Sequence, residues 1–354
     1  MTKLLSAVCA WLCLLQPALA WDAEGHMVVA QIAYKHLDSE VKAKCDMLIA
    51  VSLPYKSSSS SNFVTAACWA DDYKSSLGTG GWHYIDLPFS LDGTSTNGVD
   101  PGTSNVVSAI NQCVATLRNP GSALTNQATA LRYLLHFVGD IEQPLHCSTA
   151  VSAAHPTGDA GGNLFYLNGD WSNLHYLWDD GGGYLEDYIQ RPLDTSSMAT
   201  LSNKVVAVEA AYPYTNSVGA ILNPMDWAVE GRGLAQTVCY VGITNNGTPS
   251  ATYTNSAQTN TEQRMAIGGQ RLAKLLGSIF VTNSPNLGPL TVSNGNFRFT
   301  WSAVTNRSYR VQWKSQLNAA TWNDLSDVTA SGSSVTFSDP VAQGQRFYRV
   351  VVVN

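Results

Sequence analysis

Seven histidines occur in the chain, and what surrounds them is the first sign of chemistry. His136 and Asp140 stand four apart in a stretch of helical periodicity, so both side chains leave one face. The same spacing returns at His175 and Asp179. Pro144 lacks a backbone donor and stops the helix behind Asp140, and His146 follows where the chain turns back. His83 lies in Gly-Trp-His-Tyr-Ile-Asp, Asp71 in Trp-Ala-Asp, and His26 one turn into the first helix after residue 20. Imidazole and carboxylate at these spacings are the donors a zinc site uses. One His–Asp pair at i, i+4 is ordinarily a solvated pair. Two such pairs plus His146, with five histidines inside aromatic- and Asp-rich motifs, predict a metal cluster. His36, behind Lys35 at a helix end, and His155, in a Pro/Gly loop, read as surface residues.

Positioning such a cluster calls for rigid elements, and the periodicity supplies helices. Val28, Val29, Ile32, Ala33 and Leu37 form an apolar stripe, and residues 39–51, 62–74, 104–118, 125–142, 226–241 and 261–280 read similarly. Gly-, Ser- and Asn-rich joints separate them. A strand-like pair, 164–167 and 170 onward, flanks Asn168-Gly169, a strong two-residue hairpin signal. The texture changes after about residue 282. Phe297, Phe299 and Trp301 alternate with polar residues, as do Tyr309, Val311 and Trp313, and residues 347–353 are β-branched and aromatic. The predicted organisation is a mainly α domain over residues 21–282, a linker at 283–289, and a small β-sandwich at 290–354.

Composition narrows the function. Of 354 residues, 45% are hydrophobic and only 13% charged, which excludes disorder. Lys plus Arg number 20 against 26 acids, a formal net of −6. A basic surface gripping long duplex DNA is therefore excluded, and any anionic substrate must be held locally. Residues 1–20 read as a secretory signal peptide: Lys3, an apolar run over 4–15, and Ala18-Leu19-Ala20 before the cut. No later run is long and apolar enough to span a membrane, so the chain is expected to be secreted or periplasmic, with no membrane anchor, and to act as a monomer. Cleavage leaves Cys45, Cys68, Cys113, Cys147 and Cys239. An exported protein can form disulfides, and five thiols allow at most two.

Six motifs then match one family in order: Trp21-Asp-Ala-Glu-Gly-His26, Trp69-Ala-Asp71-Asp-Tyr-Lys74, His83-Tyr-Ile-Asp86-Leu-Pro, His136-Phe-Val-Gly-Asp140-Ile-Glu-Gln-Pro-Leu-His146, Asp159-Ala-Gly-Gly-Asn163 and Asn173-Leu-His175-Tyr-Leu-Trp-Asp179. The chain resembles the secreted, zinc-dependent, single-strand-specific nucleases and 3′-nucleotidases of fungi and plants, relatives of zinc-dependent phospholipase C. The resemblance covers about residues 21–280 and implies a phospholipase C/nuclease-like helical fold. It departs at Glu142, where the family usually has a second histidine. It also makes Cys45 a plausible partner for Cys68.

The resemblance implies three zinc ions. One is held by Asp71, His83, His136 and Asp140. Its neighbour takes the Trp21 amine and carbonyl, His26 and the other oxygen of Asp140. The third takes His146, His175 and Asp179. The ions would activate water against phosphorus and leave 5′-phosphate products. Lys74, three residues from Asp71, matches the family's cation over the transition state. Asp86 and Asn163 would hydrogen-bond an unstacked base, with Tyr84 as its stacking platform. A base within a duplex cannot present its face or edge that way. Single-stranded DNA or RNA and 3′-nucleotides are thus the expected substrates. A phospholipase C is the nearest rival, countered by Asp179 in place of the glutamate expected there. An inactive secreted zinc-binding or adhesion protein is the rival from another class. The C-terminal segment resembles fibronectin type III-like modules of exported hydrolases, with an unknown ligand.

Trp21 yields a prediction. A peptide nitrogen has its lone pair in the amide bond and is a poor donor to zinc. A free α-amine has a pKa near 7.8, so baring its lone pair at pH 7 costs about 1 kcal/mol. Protein carrying extra residues before Trp21 should bind fewer zincs and lose most activity, and authentic processing should restore both. Metal analysis of the two forms checks this; full zinc occupancy in the extended protein would contradict it.

Overall fold

The computed structural model describes residues 21–353 apart from 216, 219–220, 281–284, 286 and 341–344. The expected signal peptide and residues 283, 284 and 286 of the expected linker lie outside the described residues. The described residues divide into two compact units: 21–37 with 42–276, and 38–41 with 277–353.

The first unit is helical. Asp22 caps α1 (Ala23–His36) by accepting hydrogen bonds from the amides of Glu24 and Gly25, at 2.9 and 3.2 Å. After α2 (Ser39–Ala50), a 3-10 turn (Thr65–Cys68) leads into α3 (Trp69–Leu77). A short turn, Gly80–Trp82, delivers His83 and precedes β1 (Pro88–Ser90). Asn105 and Ser108 form a reciprocal capping box on α4 (Val106–Arg118).

Helix α5 (Leu124–Asp140) is the axis of this unit, and residues 130–140 are buried on every side. A helix apolar all round belongs in a core. Its buried Arg132 donates to the Ile49 carbonyl at 2.8 Å, placing a cation at the C-terminal end of α2. Strand β2 (Thr149–Val151), α6 (Leu174–Asp179), α7 (Thr195–Ala211), α8 (Pro224–Leu234) and α9 (Ala251–Phe280) complete the unit. β1 and β2 pair in parallel, Pro88 opposite Thr149.

The expected hairpin around Asn168-Gly169 does not form as strands. Only an isolated bridge joins Tyr166 and Asn173. The amides of Leu164 and Phe165 donate instead to the carbonyls of Asp159 and Gly162, so that backbone is committed to a turn. Helices α6 and α7 were not anticipated. The former has six residues, too few to show periodicity.

The second unit holds two antiparallel three-stranded sheets: β3 (Thr291–Ser293), β4 (Asn296–Ser302) and β7 (Ser334–Pro340) in one, β6 (Asn323–Thr329), β5 (Ser308–Lys314) and β8 (Phe347–Val353) in the other. Phe299, Trp301, Tyr309, Val311, Val335 and Val350, drawn from both sheets, bury one shared core. Alternation along β4 and β5 follows the period of two.

Because every proposed metal and substrate residue belongs to the first unit, truncation after Asn283 should leave a folded protein with full zinc content and specific activity. Loss of activity with zinc retained would show that the C-terminal unit completes the site.

Candidate metal centre

Local geometry delivers the ligands in pairs. His136 and Asp140 project from the last turns of α5, one above the other. His175 and Asp179 repeat this on α6, whose cap Asn173 accepts from the Tyr176 amide at 2.8 Å. Asp71 and Lys74 share a face of α3, with Nζ 3.2 Å from the carboxylate. His26 enters from α1. A Cβ on Gly139 would lie 2.5 Å from His26 Nδ1, so only glycine lets α5 pass this close to the imidazole.

Long-range contacts join the pairs. The Ile85 amide donates to the His146 carbonyl at 2.8 Å, and His146 Nδ1 lies 2.9 Å from the His83 carbonyl oxygen. The β1–β2 pair continues this zipper. At the turn after α5, Gln143 accepts from the Leu145 amide and donates Nε2 to Asp179 at 2.7 Å. One amide thus links the His146 turn to α6. Gln143 was not anticipated as a positioning residue; its place directly before Pro144, as a cap, was the signal available.

The imidazoles and carboxylates converge in three groups: His26, Asp71 and His136; His83, His136 and Asp140; His146, His175 and Asp179. Asp140 Oδ2 is 3.0 Å from His83 Nδ1 and 3.3 Å from His136 Nε2, while Oδ1 is 3.5 Å from His26 Nε2. Each oxygen of Asp179 lies 3.5 Å from one imidazole, His146 or His175. Trp21 is wholly buried at the foot of α1.

The donor chemistry fits cations. His136, His146 and His175 direct Nδ1 at the carbonyls of Ala67, His83 and Gly161, at 2.6, 2.9 and 2.7 Å. That arrangement fixes the tautomer and leaves Nε2 as a bare lone pair. The Nε2 atoms of His146 and His175 face each other at 3.1 Å, which two lone pairs tolerate when a metal lies between them. Both oxygens of Asp140, one of Asp71, both nitrogens of His26 and Nε2 of His83 are buried without a hydrogen-bond partner. Such orphaned atoms demand compensation. Burial, then the neighbouring His136, pushes His26 down to about 3, so it is a neutral donor.

A cavity of about 290 Å³ opens beside the cluster. His83, His146 and His175 line it, and so do Lys74, Tyr84, Asp86 and Asn163. Tyr84 is 44% exposed, so it is no core residue. Burial, then the nearby Asp159, raises Asp86 to about 6, against the opposing pull of His146. Asp159 itself does not face the cavity as a base contact. It is buried, accepting from the amides of Ala150 and Gly162 at 2.9 and 3.1 Å and from the Tyr240 hydroxyl at 2.6 Å. It therefore builds the turn that presents Gly161 to His175.

Glu142 is also buried. Arg264 and Arg271 of α9 pair with its carboxylate, the latter at 2.9 Å, and Arg271 reaches Glu230 at 2.6 Å. It anchors the turn between Asp140 and His146 instead of pointing to the metals. The plausible Cys45–Cys68 bridge is absent: both thiols are free and buried, as are Cys113, Cys147 and Cys239. Cys68 Sγ contacts the Ala23 carbonyl instead, at 3.5 Å, on the side of α1. His36 lies apart, against Glu209 and the Tyr214 ring, and His155 is half-buried in a turn.

The sequence is similar to those of known nucleases. A family model described as S1/P1 Nuclease matches residues 21–281. Endonuclease 4 of Arabidopsis thaliana is 27% identical over 296 residues, covering 78% of this chain and 94% of its own. Nuclease P1 of Penicillium citrinum is 28% identical over 279 residues, covering 73% and 97%. Nuclease S1 of Aspergillus oryzae is 28% identical over 306 residues, covering 79% and 98%.

Asp140 touches imidazoles of two groups and Asp179 those of one. Asp140→Asn should therefore cost about two bound metal ions and Asp179→Asn at most one. Metal analysis of the purified variants checks this, and equal losses would contradict it.

Proposed function

The chain belongs to the S1/P1 nuclease family, and from that membership we propose that it is a secreted, zinc-dependent endonuclease. It cleaves single-stranded DNA and RNA to 5′-phosphate products and removes phosphate from 3′-nucleotides. One observation carries the reading: Lys74, Tyr84, Asp86 and Asn163 share a single cavity with three imidazoles of the metal centre. A phosphodiester can then sit at the metals while its base occupies the far end.

Three zincs would be held by Asp71, His83, His136 and Asp140; by Trp21, His26 and Asp140; and by His146, His175 and Asp179. Bound zinc supplies Lewis acidity and water that ionises near neutral pH. The protein supplies the rest. Lys74, steadied by Asp71 at 3.2 Å, places a cation where negative charge accumulates on the phosphoryl oxygens. Asp71 serves as both ligand and partner to that cation. Tyr84 offers its exposed ring to one face of a base. Asp86 and Asn163 address the base edge, and Asn163 is held by its own bond to the Ala160 carbonyl at 2.8 Å. A stacked, paired base offers neither face nor edge, which gives the preference for single strands.

The acidic chain suits this division: the metals hold one phosphate, and no basic surface holds a duplex. Among the described residues no helix is long and apolar enough to cross a membrane, and the export signal is assigned to residues 1–20. The C-terminal unit, read as a fibronectin type III-like module, contributes no catalytic residue.

The zinc-loaded protein should hydrolyse single-stranded DNA far faster than duplex DNA, leave 5′-phosphate ends, and spare phosphatidylcholine. Cleavage of the lipid instead would make it a phospholipase, and no cleavage at all an inactive binding protein. Lys74→Ala should keep its zinc and lower kcat by about two to three powers of ten. Kinetics resolved into kcat and KM check this, and a change in KM alone would reassign Lys74 to ground-state binding.

A further inference from the structure

A second cavity, about 330 Å³, lies between α4 and α5 and is bounded by Trp82 of the Gly80–Trp82 turn. Gly80 and His83 line the metal-site cavity and Trp82 lines this one, so a single turn walls both. Its size falls in the ~300–1,000 Å³ range of small-ligand sites.

Its lining is selective. Trp82 is half-buried, and its Nε1 donates to Ser104 Oγ at 3.1 Å, which fixes the indole plane. The Tyr133 ring meets it edge-on, with centroids 5.5 Å apart at 63°. Tyr133 stacks on Phe137 at 5.1 Å, and Phe137 meets the His83 ring at 5.1 Å. Continuous aromatic packing thus runs from this cavity to a metal ligand. Gln112 of α4 and Asn126 of α5 stand on the exposed rim, with Thr116 and Ser122 beside them. No charged side chain lines the cavity.

We infer that this cavity is a second base subsite, which takes an unpaired nucleobase of the same strand whose phosphodiester lies at the metal centre. The inference rests on the nuclease reading above. An uncharged lining rejects a phosphate as occupant and suits a neutral planar heterocycle. An aromatic ring held in one plane offers a stacking face. Asn and Gln amides present the paired donor and acceptor that base edges match. The Gly80–Trp82 turn, which contributes to the walls of both cavities, puts this one next to the reaction site, as a neighbouring nucleotide requires.

The test compares a 3′-mononucleotide, too short to reach this cavity, with a single-stranded tetranucleotide on the zinc-loaded full chain. Zinc content is measured throughout, because Trp82 adjoins His83. Trp82→Ala should raise KM for the tetranucleotide about ten-fold and weaken binding of a phosphorothioate tetranucleotide equally, with the mononucleotide KM unchanged; Trp82→Phe should recover most of the loss. If Trp82→Ala loses zinc, the rim variant Gln112→Ala/Asn126→Ala must show the same split. Equal effects on both substrates, or none on either, would overturn the subsite. If the wild type cleaves neither substrate, the nuclease reading fails; Trp82-dependent binding of the phosphorothioate would still support the subsite, and its absence would overturn it too.

Discussion

Asp140 is fully buried, and neither of its oxygens has a hydrogen-bond donor. Taking a carboxylate out of water without a partner costs several kcal/mol, and this one is joined by imidazoles on three sides. The interior of the helical unit is therefore built around donor atoms that the protein itself does not satisfy. A cation bound there would resolve that imbalance, and its binding energy would then add to the stability of the fold. The neighbouring glycine, the caps and the carbonyls that orient each imidazole all hold lone pairs on a common point.

Why the centre was readable in the sequence, and its support only partly so, follows from range. His136/Asp140 and Asp71/Lys74 are products of helix period in stretches long enough to display it, whereas His175/Asp179 was announced by the repeated spacing of its motif alone. The alternation at 297–301 and 309–313 likewise announced β4 and β5. What joins the pairs is nonlocal: the parallel β1–β2 ladder, the Gln143 amide reaching Asp179, and the Asp159 carboxylate gathering amides and the Tyr240 hydroxyl. None of these has a period. The Asn-Gly signal at 168–169 did mark a reversal, with the Leu167 amide donating to the Ser172 carbonyl and the Leu174 amide to the Phe165 carbonyl across it, but the flanking residues meet in a single bridge and not as strands.

Glu142 illustrates how a local departure is absorbed. Where the resemblance leads one to expect histidine, a buried carboxylate meets two guanidiniums, and a second acid, Glu230, balances them. Removing any one member would strand a charge in the interior. The network spans α8, α9 and the turn behind α5, and so braces the segment carrying Asp140 and His146.

The five free thiols place a demand of another kind. All are buried, and burial raises the thiols of Cys68 and Cys113 to about 12. Reaction with oxidants proceeds through the thiolate, so the native state is chemically quiet. The unfolded chain is not: in an oxidising compartment its exposed sulfurs can couple in pairs that the native packing forbids. There folding and oxidation would run against each other in time, and a chain that lost the contest would be trapped by covalent bonds. Wherever such a chain met an oxidant, burial of its sulfurs in the folded shape is what would keep them reduced.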